Sequence, residues 1–205
     1  MKLWPVAKKL GMIYIAPNGT VGGDGRRVWN AAKACCQRDE SKTDDIAYIN
    51  SLIDEIAAKV PVDLKRIYFV GHSNGAFMAI TYACSTGRAA GVVSLAGAMD
   101  SDFQCSSPHP FTFLQIHGDA DPTIKFSGGV LNKFPYTSAE ETLSRIAITN
   151  KCDKNLDSTS EIKDFDPVIP GNETTEKTLH GCLKATSMWR ISGGLNSPKL
   201  PKDFA

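Results

Sequence analysis

Short apolar runs separated by stretches of helical spacing divide this chain into alternating elements. Met12-Ile-Tyr-Ile-Ala16 is one such run, closed by Pro17-Asn-Gly19, and reads as a strand ending in a turn. Arg66-Ile-Tyr-Phe-Val70, Gly91-Val-Val-Ser-Leu-Ala96, Phe111-Thr-Phe-Leu-Gln-Ile116 and Met188-Trp-Arg-Ile191 read the same way. Between them the period lengthens. Ile46, Ile49, Leu52, Ile53 and Ile56 share one face of a predicted helix, with Thr43 as its N-cap, Asp44 and Asp45 in the first turn and Pro61 at its end. Residues 76–84 are mostly apolar, which predicts a buried helix. Residues 138–149 predict another, with Ser138 as N-cap and Glu141 placed for a capping box. Residues 1–11 read as an amphipathic helix. Residues 19–42 read as a long loop and residues 150–181 as polar and weakly patterned. Strands alternating with helices predict an α/β domain, a doubly wound and mostly parallel sheet covered on both faces.

Composition narrows this only slightly. The 205 residues fit one domain spanning 1–205, and 23 basic against 22 acidic residues leave a net charge of +1 with no basic block. Nothing there favours nucleic acid, and no apolar run approaches the roughly 18 residues of a membrane span. The N-terminus lacks the apolar core of a secretion signal. Six cysteines, Cys35, Cys36, Cys84, Cys105, Cys152 and Cys182, are many for a reducing compartment and point to disulfides. Adjacent cysteines such as Cys35 and Cys36 rarely have the geometry to bond to each other. Cys152 and Cys182 bracket the polar segment as a bridge would. No pair has the C-x₂₋₄-C spacing of a zinc site, so no metal or other cofactor is expected.

The chemistry gathers at Gly71-His-Ser-Asn-Gly75, a G-x-S-x-G pentapeptide between a predicted strand and a predicted helix. In that context the turn is sharp enough to strain the serine, and glycines on both sides relieve crowding. Ser73 is then a candidate nucleophile at a helix N-terminus, where the N–H of Asn74 is a candidate oxyanion donor. An acid belongs after a later strand, and Ile116-His-Gly-Asp-Ala-Asp121-Pro offers Asp119 and Asp121. Asp119 reads equally well as a turn former.

Taken together, Ala16-Pro-Asn-Gly-Thr20, Trp29-Asn30, Asp44-Asp45, Gly71-His-Ser-Asn-Gly-Ala76, His117-Gly-x-x-Asp121-Pro and Gly128-Gly129 resemble the polyhydroxybutyrate depolymerase and feruloyl esterase-like group of α/β-hydrolases. The resemblance implies a serine carboxylic ester hydrolase working through an acyl-enzyme on small-molecule or polymeric esters, secreted or periplasmic. It selects Asp121 as the acid and makes Trp29 either a pocket wall or plain core. It also exposes two departures. Members of the group carry strands and a His-Gly loop ahead of their first helix, and that loop supplies a second oxyanion donor. This chain is expected to begin at that helix and to lack the usual first strands. An exposed sheet edge, and with it a homo-oligomer, is expected to follow.

The second departure is the base. The group places its histidine in a Gly-Gly-x-His segment after the last strand, and here the segment is Gly193-Gly-Leu-Asn196. An asparagine amide has no basic nitrogen. The substitutes are His117 and His180, with His72 and His109 less well placed. His117 ends a strand beside the acid loop, while His180 precedes the last strand. Cys152–Cys182 would pin the polar segment near the base-bearing loop. Two functions follow: an esterase, slow or impaired, or a non-catalytic relative, a truncated product or a binding protein that keeps the pocket.

Overall fold

The computed structural model describes residues 3–22, 25–35, 43–153, 158–166 and 168–194. The elements run α1 (Trp4–Lys9), β1 (Thr20–Val21), β2 (Arg27–Val28), α2 (Asp45–Lys59), β3 (Tyr68–His72), α3 (Asn74–Thr86), β4 (Gly91–Leu95), β5 (Thr112–Gly118), β6 (Gly129–Leu131), β7 (Phe134–Tyr136), α4 (Ala139–Thr149), β8 (Ser158–Lys163), β9 (Thr174–Leu179) and β10 (Thr186–Ile191). The main sheet has the order β3-β4-β5-β10-β9-β8. Its first four strands are parallel, and β9 and β8 add antiparallel at one side. This is an α/β fold of the α/β-hydrolase kind.

The register puts Phe69, Val92, Phe113 and Thr186 in one row and Gly71, Ser94, Gln115 and Met188 in the next, all on one face. The core lies on that face. Ile80, Ala83 and Cys84 of α3 and Leu143, Ile146 and Ala147 of α4 pack there with Val92, Phe113 and Met188. A second cluster joins Ile49 and Ile53 of α2 to Phe77, Met78 and Tyr82 of α3, with Phe69 beneath. The opposite face is more open than a sheet covered on both sides: Val93, Leu114, Ile116 and Trp189 are only partly buried. Strand β3 is an edge, with Tyr68 and Val70 exposed.

Several elements differ from expectation. Residues 12–16 belong to no sheet among the described residues, and Met12, Ile13, Tyr14 and Ile15 are exposed. An apolar run becomes a strand only where a neighbour supplies a ladder and a face to pack on, and no described strand pairs with this one. Conversely, the weakly patterned stretch contains β8 and β9. Their side chains are mostly Thr, Ser, Glu and Lys, and the Lys163–Glu176 ion pair joins them across the ladder. Helix α2 is capped by Asp44, whose Oδ1 accepts the Ala47 N–H at 2.9 Å, and not by Thr43. Ser138 caps α4 by accepting the Glu141 N–H, but Glu141 pairs with Arg145 at 2.5 Å and leaves the box half made. The loop after β5 holds an unforeseen hairpin, β6–β7. Its turn residues Asn132 and Lys133 have φ of 50° and 71°, the left-handed pair that a two-residue hairpin loop demands.

Disulfides join Cys84 to Cys105 and Cys152 to Cys182. Cys35 is disulfide-bonded too, while Cys36 lies outside the described residues. The Cys152–Cys182 bridge does not sit beside the exit of β10 as expected. Because β9 runs antiparallel to β10, the turn between them falls where β10 begins. That end of the sheet is further tied by Asn150, fully buried. Its Oδ1 accepts from Phe111 N at 3.0 Å, and its Nδ2 donates to Phe111 O at 2.8 Å and to Thr186 Oγ1 at 2.7 Å.

Candidate active site

Strand β3 runs into α3 through a single residue. Ser73 is the N-cap of α3 with φ 52° and ψ −122°, a conformation that non-glycine residues adopt only under strain. Its O accepts from Ala76 N and Phe77 N, and its N–H donates to Leu95 O at 2.9 Å, so both neighbouring elements hold the bend in place. Gly71 is required: a Cβ there would come within 2.1 Å of Gly75 O. Gly75 is not crowded in the same way, since a Cβ there would meet only Trp29 Nε1 at 4.0 Å.

The N–H of Asn74, in the first turn of α3, points out of the helix end with no intrahelical acceptor. Its side chain has a role that the pentapeptide gave no hint of. The amide brackets Trp29, accepting Trp29 N at 2.7 Å and donating to Trp29 O at 3.0 Å. Neighbouring contacts hold the rest of that segment. Asn30 N donates to Asp45 Oδ2 at 2.6 Å, Thr81 Oγ1 to Ala31 O, and Lys33 N and Ala34 N to the two carboxylate oxygens of Asp100. Trp29 therefore lies partly buried beside the serine turn, stacked toward Tyr48 at 6.3 Å, touching core and rim at once. Asp45 is held largely by burial, which raises its carboxyl above the ordinary range against the hydrogen bond from Asn30.

Beyond β5, the two aspartates divide the work. Asp119 Oδ1 accepts from Gly193 N at 2.7 Å, and Oδ2 from Arg190 Nε at 3.1 Å. Its backbone and that of Ala120 bond to Ile191 O and Gly194 O. Asp119 thus clamps the turn leaving β10 onto the acid loop. Asp121 Oδ1 accepts from Thr123 N at 2.8 Å and Ile124 N at 3.0 Å, whereas Oδ2 is buried without a hydrogen-bond partner among the described residues. Ser73 and Asp121 leave the same edge of the sheet from strands that flank β4, roughly 10 Å apart by strand spacing.

The histidines are accounted for individually. His117 is 1% exposed; its Nε2–H donates to Ile124 O at 2.6 Å, and its Nδ1 accepts from Gln115 Nε2 at 3.1 Å. Burial pushes the ring below its ordinary value of 6.5, against the Ile124 carbonyl and the charge of Asp121, whose Oδ2 is 3.9 Å from Nε2. With both nitrogens engaged, His117 braces the acid loop. His180 follows β9 at the end of the sheet where β10 begins, opposite the Ser73 edge, and that distance removes it as a substitute base. His109 precedes β5 at that same far end, and His72 alternates to the sheet face opposite Gly71. Asn196 lies outside the described residues.

A parallel sheet that delivers a strained serine to the start of a buried helix, with an aspartate at the same edge two strands over, has the architecture of an α/β-hydrolase. A model of the Phospholipase/Carboxylesterase family matches residues 27–153, more than half of the chain, and the chain belongs to that family. Among curated proteins it is similar to the probable feruloyl esterase C of Aspergillus flavus, 31% identical over 192 residues, covering 92% of this chain and 58% of the relative. The probable feruloyl esterase C of Aspergillus niger is 27% identical over 183 residues, covering 89% and 56%. Feruloyl esterase B of Piromyces equi is 29% identical over 125 residues, covering 58% and 22%. These relatives group the chain with feruloyl esterase-like α/β-hydrolases. It spans little more than half the length of the two Aspergillus proteins.

Proposed function

We propose that this protein is a serine carboxylic ester hydrolase in which Ser73 is the nucleophile, Asp121 the acid and the N–H of Asn74 an oxyanion donor. The observation that carries the reading is the strained conformation of Ser73 at the N-terminus of α3, because strain at a non-glycine residue persists only where the surroundings over-determine it. Ser73 Oγ attacks the ester carbonyl and the alcohol leaves. Water then attacks the acyl-serine and releases the acid. The helix dipole and the Asn74 N–H stabilise the negative oxygen in both steps. Trp29, anchored by Asn74, offers an aromatic wall for an aryl acid, which makes feruloyl-type esters the first class to try. The disulfides suit an oxidising compartment, and the reading is of an extracytoplasmic enzyme.

A second reading, a relative that binds esters without turning them over, is favoured by one observation: none of the four histidines offers Ser73 a free ring nitrogen. Fluorophosphonate labelling followed by peptide mapping tests the first reading. The adduct is expected on Ser73 and is abolished in Ser73→Ala. An adduct elsewhere overturns the nucleophile assignment. Labelling of Ser73 without release of product from a nitrophenyl ester selects the second reading.

A further inference from the structure

Building on the extracytoplasmic reading proposed above, we infer that Asn172 carries an N-linked glycan, which covers the apolar rim of the loop between β8 and β9. Two triplets of the sequence have the N-x-S/T pattern of a glycan acceptor, Asn18-Gly-Thr20 and Asn172-Glu-Thr174. Such triplets also arise by chance, so their surroundings decide. Other asparagines are built into the fold. Asn30 Nδ2 donates to Thr43 O at 2.9 Å, Asn50 Oδ1 accepts from Tyr82 and Arg88, and Asn132 Nδ2 donates to Ala34 O. Asn74 and Asn150 hold the main-chain contacts already described. Among the described asparagines, that leaves Asn18 and Asn172, both exposed and with side chains that bond to no described residue. The Asn18 triplet falls within Ala16-Pro-Asn-Gly-Thr20, a motif that the family resemblance already explains. The Asn172 triplet belongs to no such motif.

The loop presents Asn172 at a turn in open surroundings. Gly171 before it has φ 87°, and a Cβ added there would meet nothing within 4 Å. Glu173 fastens the loop from behind. Its Oε1 accepts from Phe165 N at 3.0 Å, Asp166 N at 2.8 Å and Thr174 Oγ1 at 2.5 Å. These bonds keep Phe165 near the acceptor. Phe165 is 46% exposed and Val168 57%, although Phe165 also rests against Trp189 with ring centroids 4.7 Å apart. An exposed apolar rim marks a surface that something covers. A bulky, strongly hydrated sugar chain anchored one residue from Glu173 reaches this one.

Thr174 fixes the order of events. It is fully buried and its hydroxyl is committed to Glu173, whereas a transferring enzyme must reach that hydroxyl to read the triplet. The sugar is therefore added to the extended chain, before β9 pairs with β10, and Asn172 keeps it in solvent once folding is complete. The donor is an oligosaccharide joined through pyrophosphate to a polyprenol in the secretory membrane. Nδ2 of Asn172 bonds to the anomeric carbon of the first sugar as the bond from that carbon to the pyrophosphate oxygen breaks. The polyprenyl pyrophosphate leaves with the electron pair, and a carboxylate of the transferase takes the amide proton. No oxidant or reductant is consumed.

The test is expression of the full chain behind a secretion leader in yeast, followed by peptide N-glycosidase digestion in heavy-oxygen water and peptide mapping of medium and cells. The expected result is a heavy aspartate at position 172 and a gel mobility shift that digestion removes. Asn172→Gln, at an exposed side chain with no described partner, should lose the shift, and Thr174→Ser, which keeps a hydroxyl, should retain it. Digestion of the folded glycoprotein should also raise its binding of an apolar dye, and unchanged binding overturns the role of the glycan as a cover. An unlabelled Asn172, or label confined to Asn18, in chains that have formed Cys84–Cys105 and Cys152–Cys182 overturns the inference and leaves the compartment reading standing. Secreted chains with free thiols at those four positions overturn the compartment reading and this inference with it.

Discussion

The side-chain amide of Asn74 holds the main chain of Trp29 from both sides, accepting its N–H at 2.7 Å and donating to its C=O at 3.0 Å. The residue after the nucleophile therefore has two tasks. In the proposed reaction its backbone N–H stabilises the developing oxyanion, while its side chain positions an aromatic residue 45 positions upstream. Asn74→Ala should leave two backbone groups of Trp29 unpaired and cost about 1–3 kcal/mol. Asn74→Asp keeps the acceptor and should cost less. Urea unfolding followed by tryptophan fluorescence measures both, and equal stabilities for the two variants would refute the bidentate role.

Relief of strain at the elbow should be measurable as stability. Ser73 has φ 52° and ψ −122°, so Ser73→Gly should stabilise the fold by about 1–3 kcal/mol while eliminating the nucleophile. Ser73→Ala loses the same hydroxyl but keeps a Cβ in the same conformation, and should show no such gain. The difference in unfolding free energy between these variants reads the strain directly.

His117 gives the fold an acid-side weakness. Burial lowers its folded pKa, so the unfolded chain takes up a proton first as the pH drops. The contribution of neutral His117 is complete above its ordinary value of about 6.5 and declines as the pH falls from there toward the lowered folded value. Denaturation midpoints measured at pH 8 and pH 5 should differ more for the parent than for His117→Asn. Identical pH dependence in both would remove His117 from the explanation.

Asn196 takes the place of a histidine by resemblance, and Asn196→His should raise ester hydrolysis by orders of magnitude. Loss of that residue type from a serine triad can cost about 10⁶ in turnover. The gain should be absent from the double mutant with Ser73→Ala and should rise with pH through about 6.5. An unchanged rate in a folded Asn196→His variant would contradict the alignment of the tail.

Among the described residues β3 is one edge of the main sheet, with Tyr68 and Val70 exposed, whereas β8 at the other edge carries Glu161 and Lys163. Charged edges resist pairing and apolar ones invite it. Sedimentation velocity should show self-association that rises with concentration and is suppressed by Val70→Lys. A single 22.2 kDa species across micromolar concentrations would disprove this.

The order of elements from β3 to β5 was legible because parallel, buried strands are apolar runs and the helices between them follow one face. The serine turn was legible for a similar reason: glycine, strand and helix signals coincide at residues 71–75. What escaped the pattern has physical causes. Residues 12–16 carry the composition of a strand, but a ladder requires a neighbour, which no local pattern encodes. Strands β8 and β9 are polar along most of their length, joined by the Lys163–Glu176 ion pair and burying Thr174, so their alternation is faint. The pairing of Asn74 with Trp29 joins residues far apart in sequence through a side chain whose neighbours already explained its presence. Likewise, Asp119 and Asp121 are equivalent as letters, and only the fold decides that one clamps Gly193 while the other keeps an oxygen in reserve.

The Cys84–Cys105 and Cys152–Cys182 bridges and the Asn150 knot lie at the end of the sheet where the parallel strands begin, and Ser73 and Asp121 lie at the end where they finish. Two bridges stitch that end, whereas hydrogen bonds fasten the Trp29 segment and the Asp121 loop at the other. Such a molecule separates endurance from invention. The acid loop and the hairpin that follows it can be exchanged without touching either stitch, and reduction of Cys84–Cys105 and Cys152–Cys182 loosens the foundation rather than that loop.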